Sequence, residues 1–182
     1  MTIETVNQVL AVLTLGSHLL LLLGLIGLAF QPVRRWIISR VGQNGFWLAF
    51  MVAIVSTGIS LFYSNIAGFE PCRLCWWQRI FMYPQIVILG LALLKKDSKI
   101  VDYSLALAII GAIIALYHNY IYFGGPAILP CEAFGLGVSC SKRYVFEFGY
   151  ITIPLMSLTS FLLMIFSLGT QKIYNQKRDA NF

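Results

Sequence analysis

The stretch TVNQVLAVLTLGSHLLLLLGLIGLAFQPV, residues 5–33, contains no charged side chain over 29 positions. Four further uncharged runs have 29, 15, 29 and 24 residues, and they cover 41–69, 80–94, 103–131 and 148–171. A helix of about 20 apolar residues crosses the hydrocarbon core of a bilayer, and in lipid each backbone group must bond within its own segment. We therefore predict an all-α integral membrane protein with five transmembrane helices, at 6–30, 46–68, 75–94, 101–123 and 149–169.

The composition supports this class of protein. The 182 residues are 59% hydrophobic and 11% charged, whereas soluble domains are about 45–50% apolar and about 25% charged. The 13 basic residues are dispersed among apolar segments rather than gathered in one patch. The chain is therefore neither disordered nor a nucleic-acid-binding module, and membrane lipid is its expected surrounding.

The basic residues predict the orientation in the membrane, because Lys and Arg favour the cytoplasmic side. Nine of the 13 form three groups, in the first loop, the third loop and the C-terminal tail: Arg34, Arg35, Arg40, Lys95, Lys96, Lys99, Lys172, Lys177 and Arg178. All three groups are cytoplasmic when the N-terminus lies outside and the C-terminus inside. The first apolar segment is too long for a signal peptide and follows no positive region, so we interpret it as a retained helix.

All four cysteines fall in the loops predicted to lie outside. Cys72 and Cys75 occupy the short second loop, and Cys131 and Cys140 occupy the longer fourth loop. Disulfides form in oxidising compartments, and four cysteines allow three pairings. The spacing favours Cys72–Cys75 and Cys131–Cys140, and two pairs on one membrane face invite exchange between them.

Three kinds of chemistry fit these cysteines. Disulfides that staple the outer loops suit Cys131–Cys140 better than Cys72–Cys75, because a two-residue gap closes a ring too small to constrain much chain entropy. A zinc site would need all four thiolates to converge, whereas a Cys-x-x-Cys pair more often exchanges electrons. A covalent c-type haem is excluded, because Trp76 rather than His follows Cys75.

The residues after the Cys-x-x-Cys pair indicate an electron-accepting site beside it. Cys75 opens the third span, where the helix dipole stabilises a thiolate. Arg79 lies one turn deeper on the same face, and an ionisable group there marks a functional site unless it only snorkels to the interface. Gln78 adds a neutral donor and acceptor, and His118, near the outer end of the fourth span, can reach the same depth. A quinone would suit this position, but the residues alone indicate only a membrane thiol–disulfide redox protein.

Other residues in the spans are assigned to packing. Gly24, Gly27, Gly58 and Gly111 lie within apolar segments, where small residues let helices approach closely. His18 lies in the first span and is given a structural role or none.

The segment 71–84, PCRLCWWQRIFMYP, resembles the signature of the disulfide bond formation protein B (DsbB) family, and is closest to its BdbC-like branch. The later cysteines and the segment 148–154, FGYITIP, match the same branch. The resemblance covers about 46–169 and implies a four-helix transmembrane bundle at 46–170. An extra transmembrane helix and a basic loop at 1–45 would precede this bundle, and a cytoplasmic tail at 171–182 would follow it.

The resemblance implies a bacterial inner-membrane enzyme that reoxidises a thioredoxin-like (DsbA-like) thiol oxidase and reduces ubiquinone or menaquinone. By matching positions, Cys131 and Cys140 exchange with the partner, and Cys131 forms the mixed disulfide. Cys72 and Cys75 are the quinone-linked pair. Electrons would pass from the partner to Cys131–Cys140, then to Cys72–Cys75 and then to quinone.

The same resemblance implies a quinone site at Arg79 and His118, with Gln78 beside them. In vitamin K epoxide reductase-like proteins the loop cysteines precede the membrane Cys-x-x-Cys pair, whereas here they follow it, which favours the DsbB family. Two alternatives stay open at this point: a vitamin K epoxide reductase-like quinone reductase, and a non-enzymatic membrane scaffold with disulfide-stapled outer loops.

Overall fold

The structure, a computed structural model, describes residues 2–126 and 139–180, and within them it is helical. The helices are α1 (Ile3–Ala29), α2 (Gln31–Gln43), α3 (Gly45–Leu61), α4 (Arg73–Lys95), α5 (Ile100–Tyr122) and α6 (Ile153–Ala180), and a π-helical turn (Phe62–Ile66) extends α3. Five helical segments of the described chain are long and apolar enough to cross a membrane: Ile3–Ala29, Gly45–Ile66, Arg73–Lys95, Ile100–Tyr122 and Ile153–Ala180. The predicted five-span, all-α architecture is therefore confirmed.

Four of these helices form a closed bundle. Each of α3, α4, α5 and α6 packs against its two neighbours in that cyclic order, while α1 packs against α2 and α6 outside the ring. The bundle core is apolar and includes the fully buried side chains of Leu89, Phe161, Met164 and Leu168. The four-helix bundle with one extra N-terminal helix thus matches the predicted fold.

The structure differs from the predicted spans at the basic end of the bundle. Residues 31–43, predicted as part of a loop, form α2, which begins with Pro32 in its first turn and buries Ile37 and Ile38. Helix α6 continues to Ala180, 11 residues beyond the predicted end at 169. Hydropathy marks the part of a helix that suits lipid, whereas polar residues such as Gln171 remain helical because they pack against the ends of other helices. The Gln171 side chain accepts a hydrogen bond from the backbone N–H of Phe46 at 3.2 Å.

The packing role of the glycines is confirmed at three positions and wrong at the fourth. A Cβ at Gly24 would lie 2.7 Å from the ring of Phe166, a Cβ at Gly27 would crowd α2, and a Cβ at Gly111 would overlap the buried ring of Phe161. Gly58 has open space around it. Helices α5 and α6 therefore approach closely because Gly111 has no side chain.

The Gly111→Ala substitution is expected to destabilise the fold by about 1–3 kcal/mol, because the added methyl forces Phe161 out of its packed position. Gly58→Ala is the matched control, since the same change inside a helix meets no neighbour there and favours the helix by its propensity. The measurement is the thermal or denaturant unfolding of both variants in one detergent. Equal stabilities for the two variants would contradict the packing role of Gly111.

The three described cysteines and the three basic groups lie at opposite ends of the bundle. Cys72 precedes the first residue of α4, and Lys95 lies at the other end of the same helix. At the basic end, an ion pair of 2.7 Å joins Lys172 of α6 to Asp102 in the first turn of α5. The sequence pattern of charges is therefore also a spatial separation.

Candidate active site

Cys72 and Cys75 form an adjacent dithiol at the start of α4. Cys72 is the N-cap residue and Cys75 lies in the first turn, so the helix folds the two-residue gap into a close approach of the sulfur atoms. The two Sγ atoms are 3.3 Å apart and both thiols are free. The backbone N–H groups of the first turn point towards this position, and the helix dipole favours negative charge there. This arrangement stabilises a thiolate at the N-terminus of α4.

Cys72 is the sulfur that carries this charge. A hydrogen bond from the Cys75 thiol, together with a smaller contribution from His118, lowers the pKa of the Cys72 thiol from 9.0 to about 4, although burial opposes the shift. The thiolate, not the thiol, is the nucleophile in disulfide exchange. Cys72 is therefore a thiolate at neutral pH when the pair is reduced.

Because the pKa of Cys72 is depressed, its alkylation rate is expected to be nearly constant from pH 6 to 9 and to fall only as the pH drops towards about 4. An ordinary thiol would instead gain about tenfold per pH unit below its pKa near 8.5. The rate is measured by brief labelling of the reduced protein with iodoacetamide and quantifying the Cys72 peptide. His118→Ala should move the midpoint to higher pH, and a rate that rises steadily to pH 9 in the unmodified protein would contradict the assignment.

His118 connects the dithiol to the loop that follows α5. Its buried ring lies near the end of α5, with Nδ1 2.9 Å from the Gln78 side-chain nitrogen and Nε2 3.6 Å from Cys72 Sγ. With the Gln78 amide donating to Nδ1, the proton of the neutral ring is on Nε2, where it faces Cys72 Sγ and the carbonyl oxygen of Cys140, 3.2 Å away. Gln78 therefore orients a histidine that donates towards the sulfur.

Cys140 is brought to the same place by the fourth loop. It is buried and disulfide-bonded, and its Sγ, the Cys72 Sγ and a ring nitrogen of His118 all lie within 4.8 Å of one another. Cys131 lies outside the described residues. The structure thus places a free thiol of one loop beside a disulfide sulfur of the other, which is the arrangement needed for exchange between them.

The same cluster could bind a metal ion only in a different redox state. Cys72, His118 and Cys140 could present three ligand atoms to a metal ion, but a sulfur in a disulfide has no thiolate to offer. The four-thiolate zinc site considered from the sequence would likewise need Cys140 reduced. In the state described, the cluster suits thiol chemistry.

Arg79, one turn after Cys75 in α4, is held by Ser60, a residue that the sequence did not single out. Its Nε donates to Ser60 Oγ at 2.9 Å, and Nη2 donates to the Ser60 carbonyl oxygen at 3.1 Å. The Tyr83 hydroxyl is a further partner of Ser60 Oγ, at 3.2 Å. Arg79 takes part in neither the Lys172–Asp102 nor the Arg178–Asp179 ion pair. Its positive charge is therefore fixed in position without an acidic partner there.

The sequence contained only a weak indication that Ser60 belongs to the site. Ser60 is one of several hydroxyl residues in an apolar span, one position before the end of α3 and the start of the π-helical turn. Such turns occur often at functional sites, but nothing in the sequence predicts one at 62–66. The pairing of Ser60 with Arg79 depends on the packing of α3 against α4.

A cavity of about 440 Å³ adjoins the dithiol, a size in the range of small-molecule sites. All the described residues that the sequence placed at a redox site line this one space: Cys72, Cys75, Gln78, Arg79, His118 and Cys140. The remainder is mostly apolar and includes side chains of α1, α3 and α6. The cavity therefore joins a charged, sulfur-containing end to a hydrophobic body.

His18 lies apart from this chemistry. Its Nε2 is 2.8 Å from Thr159 Oγ1 of α6, and its ring stacks on Tyr150 with a centroid distance of 6.1 Å. These contacts fix α1 against α6, which agrees with a structural role.

The fold and the site together define a class: a multi-pass helical membrane protein with a thiol–disulfide redox centre at one end of its bundle. Comparisons with known proteins agree. The family model described as "Disulfide bond formation protein DsbB" matches residues 39–171. The chain belongs to the DsbB family, whose members are oxidoreductases of disulfide bond formation.

Several curated relatives are similar over most of their length. The SPbeta prophage-derived disulfide bond formation protein B of Bacillus subtilis is 43% identical over 141 residues, which are 77% of this chain and 93% of the relative. Disulfide bond formation protein C of the same organism is 43% identical over 65% of this chain and 86% of the relative. The probable disulfide formation protein C 1 of Bacillus anthracis is 45% identical over 66% and 86%. No solved structure matches the chain.

Proposed function

We propose that this protein oxidises the dithiol of an extracytoplasmic, thioredoxin-like (DsbA-like) thiol oxidase and passes the two electrons to a quinone, ubiquinone or menaquinone. One observation carries the proposal: the Cys72–Cys75 dithiol lies beside the disulfide sulfur of Cys140 and lines, together with it, a cavity that also contains Arg79. A redox pair in this position can receive electrons from a loop and deliver them to a membrane-soluble acceptor. The names of the relatives, which describe disulfide formation, support the same substrate class.

The transfer between the two pairs is an ordinary thiol–disulfide exchange. The partner's dithiol reduces Cys131–Cys140 and leaves as a disulfide. The Cys140 thiolate then attacks Cys72 in an oxidised Cys72–Cys75 pair, which releases the Cys75 thiolate. Cys131 closes the Cys131–Cys140 disulfide again and displaces Cys72. The described state, with a free dithiol at Cys72 and Cys75 and Cys140 in a disulfide, matches the product of this step.

The protein residues around Cys72 support each part of this exchange. A low thiol pKa makes Cys72 a good leaving group when Cys131 displaces it. His118 donates towards the same sulfur and is oriented by Gln78. The reduced pair at the start of α4 is therefore a thiolate and a thiol, which an electron acceptor can oxidise to a disulfide.

The acceptor end of the cavity suits a quinone ring. A quinone supplies two-electron chemistry there: it takes two electrons and two protons as the dithiol becomes a disulfide. Arg79 presents a fixed positive charge to an electron-rich carbonyl oxygen and to the developing negative charge. Ser60 holds the guanidinium in place, and the Tyr83 hydroxyl donates in turn to Ser60 Oγ. The apolar body of the cavity excludes water and accepts the rest of a lipid-soluble molecule.

We assign the cysteine end to the extracytoplasmic face of a bacterial cytoplasmic (inner) membrane, with the N-terminus outside and the C-terminus in the cytoplasm. The separation of the cysteine end from the basic end supports this orientation through the positive-inside rule. In this arrangement 46–170 forms the redox bundle, 1–45 adds the extra helix with its basic segment, and 171–182 is cytoplasmic.

The purified protein is expected to reduce a soluble quinone analogue when it is supplied with a reduced thioredoxin-like dithiol, one quinol for each disulfide formed. The assay follows quinone absorbance and the thiol count together. A folded protein that reduces no quinone, or a quinone reduction that does not consume the dithiol, would overturn the proposal. The scaffold alternative predicts no turnover at all.

Arg79→Ala is expected to raise the apparent KM for the quinone by about 10–100-fold, because a charge-assisted hydrogen bond contributes about 1.5–3 kcal/mol. Arg79→Lys is the matched control: it keeps the charge but loses the two-point contact with Ser60, so we expect a smaller rise. Exchange between the partner and the cysteines, followed without quinone, should be unchanged. An unaltered quinone KM in Arg79→Ala would assign Arg79 to membrane snorkelling instead.

A further inference from the structure

Helix α1 lies outside the part of the chain that matches the family, yet it is bound to the bundle by specific polar contacts. The family match begins at residue 39. In α1, the Asn7 side-chain oxygen accepts a hydrogen bond from the buried Tyr63 hydroxyl at 2.9 Å, and His18 contacts Thr159 three turns further along. Ala11 and Thr14, between these anchors, are buried. One face of α1 is thus seated on the bundle in a defined rotation.

The same stretch of α1 forms a wall of the redox cavity. Leu10, Leu13, Thr14 and Ser17 line the cavity whose polar end holds Cys75 and Arg79. Because α1 packs against α2 and α6, it closes a side of the cavity that the four-helix bundle alone would leave to lipid. The additional helix is therefore part of the site rather than a separate anchor.

The chemistry of this wall is that of a hydrocarbon surface. The hydroxyl groups of Thr14 and Ser17 donate to the carbonyl oxygens of Leu10 and Leu13 in the same helix. Their hydrogens are thereby used within α1, and the leucine side chains add only apolar surface. The wall offers no donor to a quinone ring, whereas Arg79 of α4 presents a guanidinium to the same cavity. The two walls therefore suit different parts of one amphipathic molecule.

The α1 side of the cavity is also open at the surface of the bundle. Leu13 of α1 and Val55 of α3 line the cavity and keep 60% and 55% of their surface exposed. A flexible hydrocarbon chain can leave the cavity there and enter the surrounding lipid. A ring bound at Arg79 would direct its substituent along this path.

We infer that α1 binds the first isoprene units of the quinone tail through Leu10 and Leu13, so that this chain favours prenylated quinones over the bare ring. This inference rests on the proposed quinone reduction and adds to it a specificity element that the family match does not include. The occupant it commits to is the prenyl tail of the electron acceptor. A membrane lipid acyl chain in the same place would give no such preference.

The test compares two acceptors that share one ring, the first with a tail of two isoprene units and the second with a methyl group instead. The full-length protein in lipid nanodiscs receives electrons from dithiothreitol, and KM and kcat are measured for each quinone. The Leu13→Trp substitution fills the α1 side of the cavity and should raise the KM for the prenylated quinone about tenfold, a loss of about one well-packed apolar contact. The KM for the methyl quinone should change less than twofold.

Leu19→Trp is the matched control, because Leu19 lies about 120° around α1 from Leu13. It does not line the cavity and is 57% exposed, close to the 60% of Leu13. It should change neither KM. If Leu13→Trp does not fold, Leu13→Ala tests the same contact by removal and should raise the KM for the prenylated quinone alone. Equal effects of the Leu13 and Leu19 variants, or equal effects on both quinones, would overturn the inference. A wild-type protein that reduces neither quinone would instead overturn the proposed function.

Discussion

Cys72→Ser is expected to abolish turnover from the partner dithiol to quinone, with a loss of about a thousandfold or more, as is usual when a nucleophile is removed. Cys72 is the sulfur that links the two pairs: it lies 3.3 Å from Cys75 Sγ and within 4.8 Å of Cys140 Sγ. A serine hydroxyl cannot form either disulfide. The measurement is steady-state quinone reduction by the purified variant.

The control for Cys72→Ser is a measurement of whether the variant is folded. The side chain is buried, and serine differs from cysteine by one atom, so thermal unfolding should change little. The scaffold alternative predicts the reverse, a loss of stability without a catalytic defect. Full turnover in a folded Cys72→Ser variant would exclude the relay through this residue.

Cys140→Ser is expected to cause an equally large loss with the protein partner but not with a small reductant. The Cys140 sulfur is the contact between the loop pair and Cys72, so its removal separates the partner from the inner dithiol. Dithiothreitol can reduce a Cys72–Cys75 disulfide directly and bypass the loop. The two reductants therefore give opposite results with one variant.

The measurement for Cys140→Ser compares quinone reduction driven by a thioredoxin-like dithiol with that driven by dithiothreitol at matched reducing equivalents. Cys131→Ser, in the other half of the predicted loop pair, should behave in the same way and is the companion variant. Normal turnover from the protein dithiol in either variant would mean that the partner reduces Cys72–Cys75 directly. Loss of both reactions would mean that the fourth loop also shapes the quinone end.

Much of the membrane architecture could be predicted from the sequence, because lipid imposes one constraint on every residue of a span. Charge-free runs of about the right length have few explanations other than membrane helices, and the spacing of Cys72, Cys75 and Arg79 along one helix fixes their relative positions. The sequence therefore located the dithiol and the cation beside it. It misplaced the end of α6 and missed α2, because hydropathy does not register polar helices at the membrane surface.

The remaining features depend on how helices pack. Nothing along the chain relates Ser60 to Arg79, because the two residues belong to helices that meet only in the folded bundle. The sequence predicts exchange between the two cysteine pairs, but it does not show that the Cys140 sulfur lies beside Cys72. The contribution of α1 to the cavity is of the same kind: Leu13 is one of many leucines in its span, and only its neighbours distinguish it. His118 was placed at the right depth, but its contacts with both loops could not be predicted from its position in α5.

A single-turnover experiment tests the central claim most directly. The protein is reduced with dithiothreitol, freed of reductant without oxygen, and mixed with a soluble quinone analogue, and samples are quenched with acid and a thiol-alkylating reagent. We expect a first quinol per protein to appear at the rate at which Cys72 and Cys75 become protected as a disulfide, as read by mass spectrometry. A second quinol should follow as the reduced Cys131 and Cys140 pass their electrons through the same pair. Quinol formation while both cysteines remain alkylated, or no quinol at all, would contradict the transfer of electrons from this dithiol to quinone.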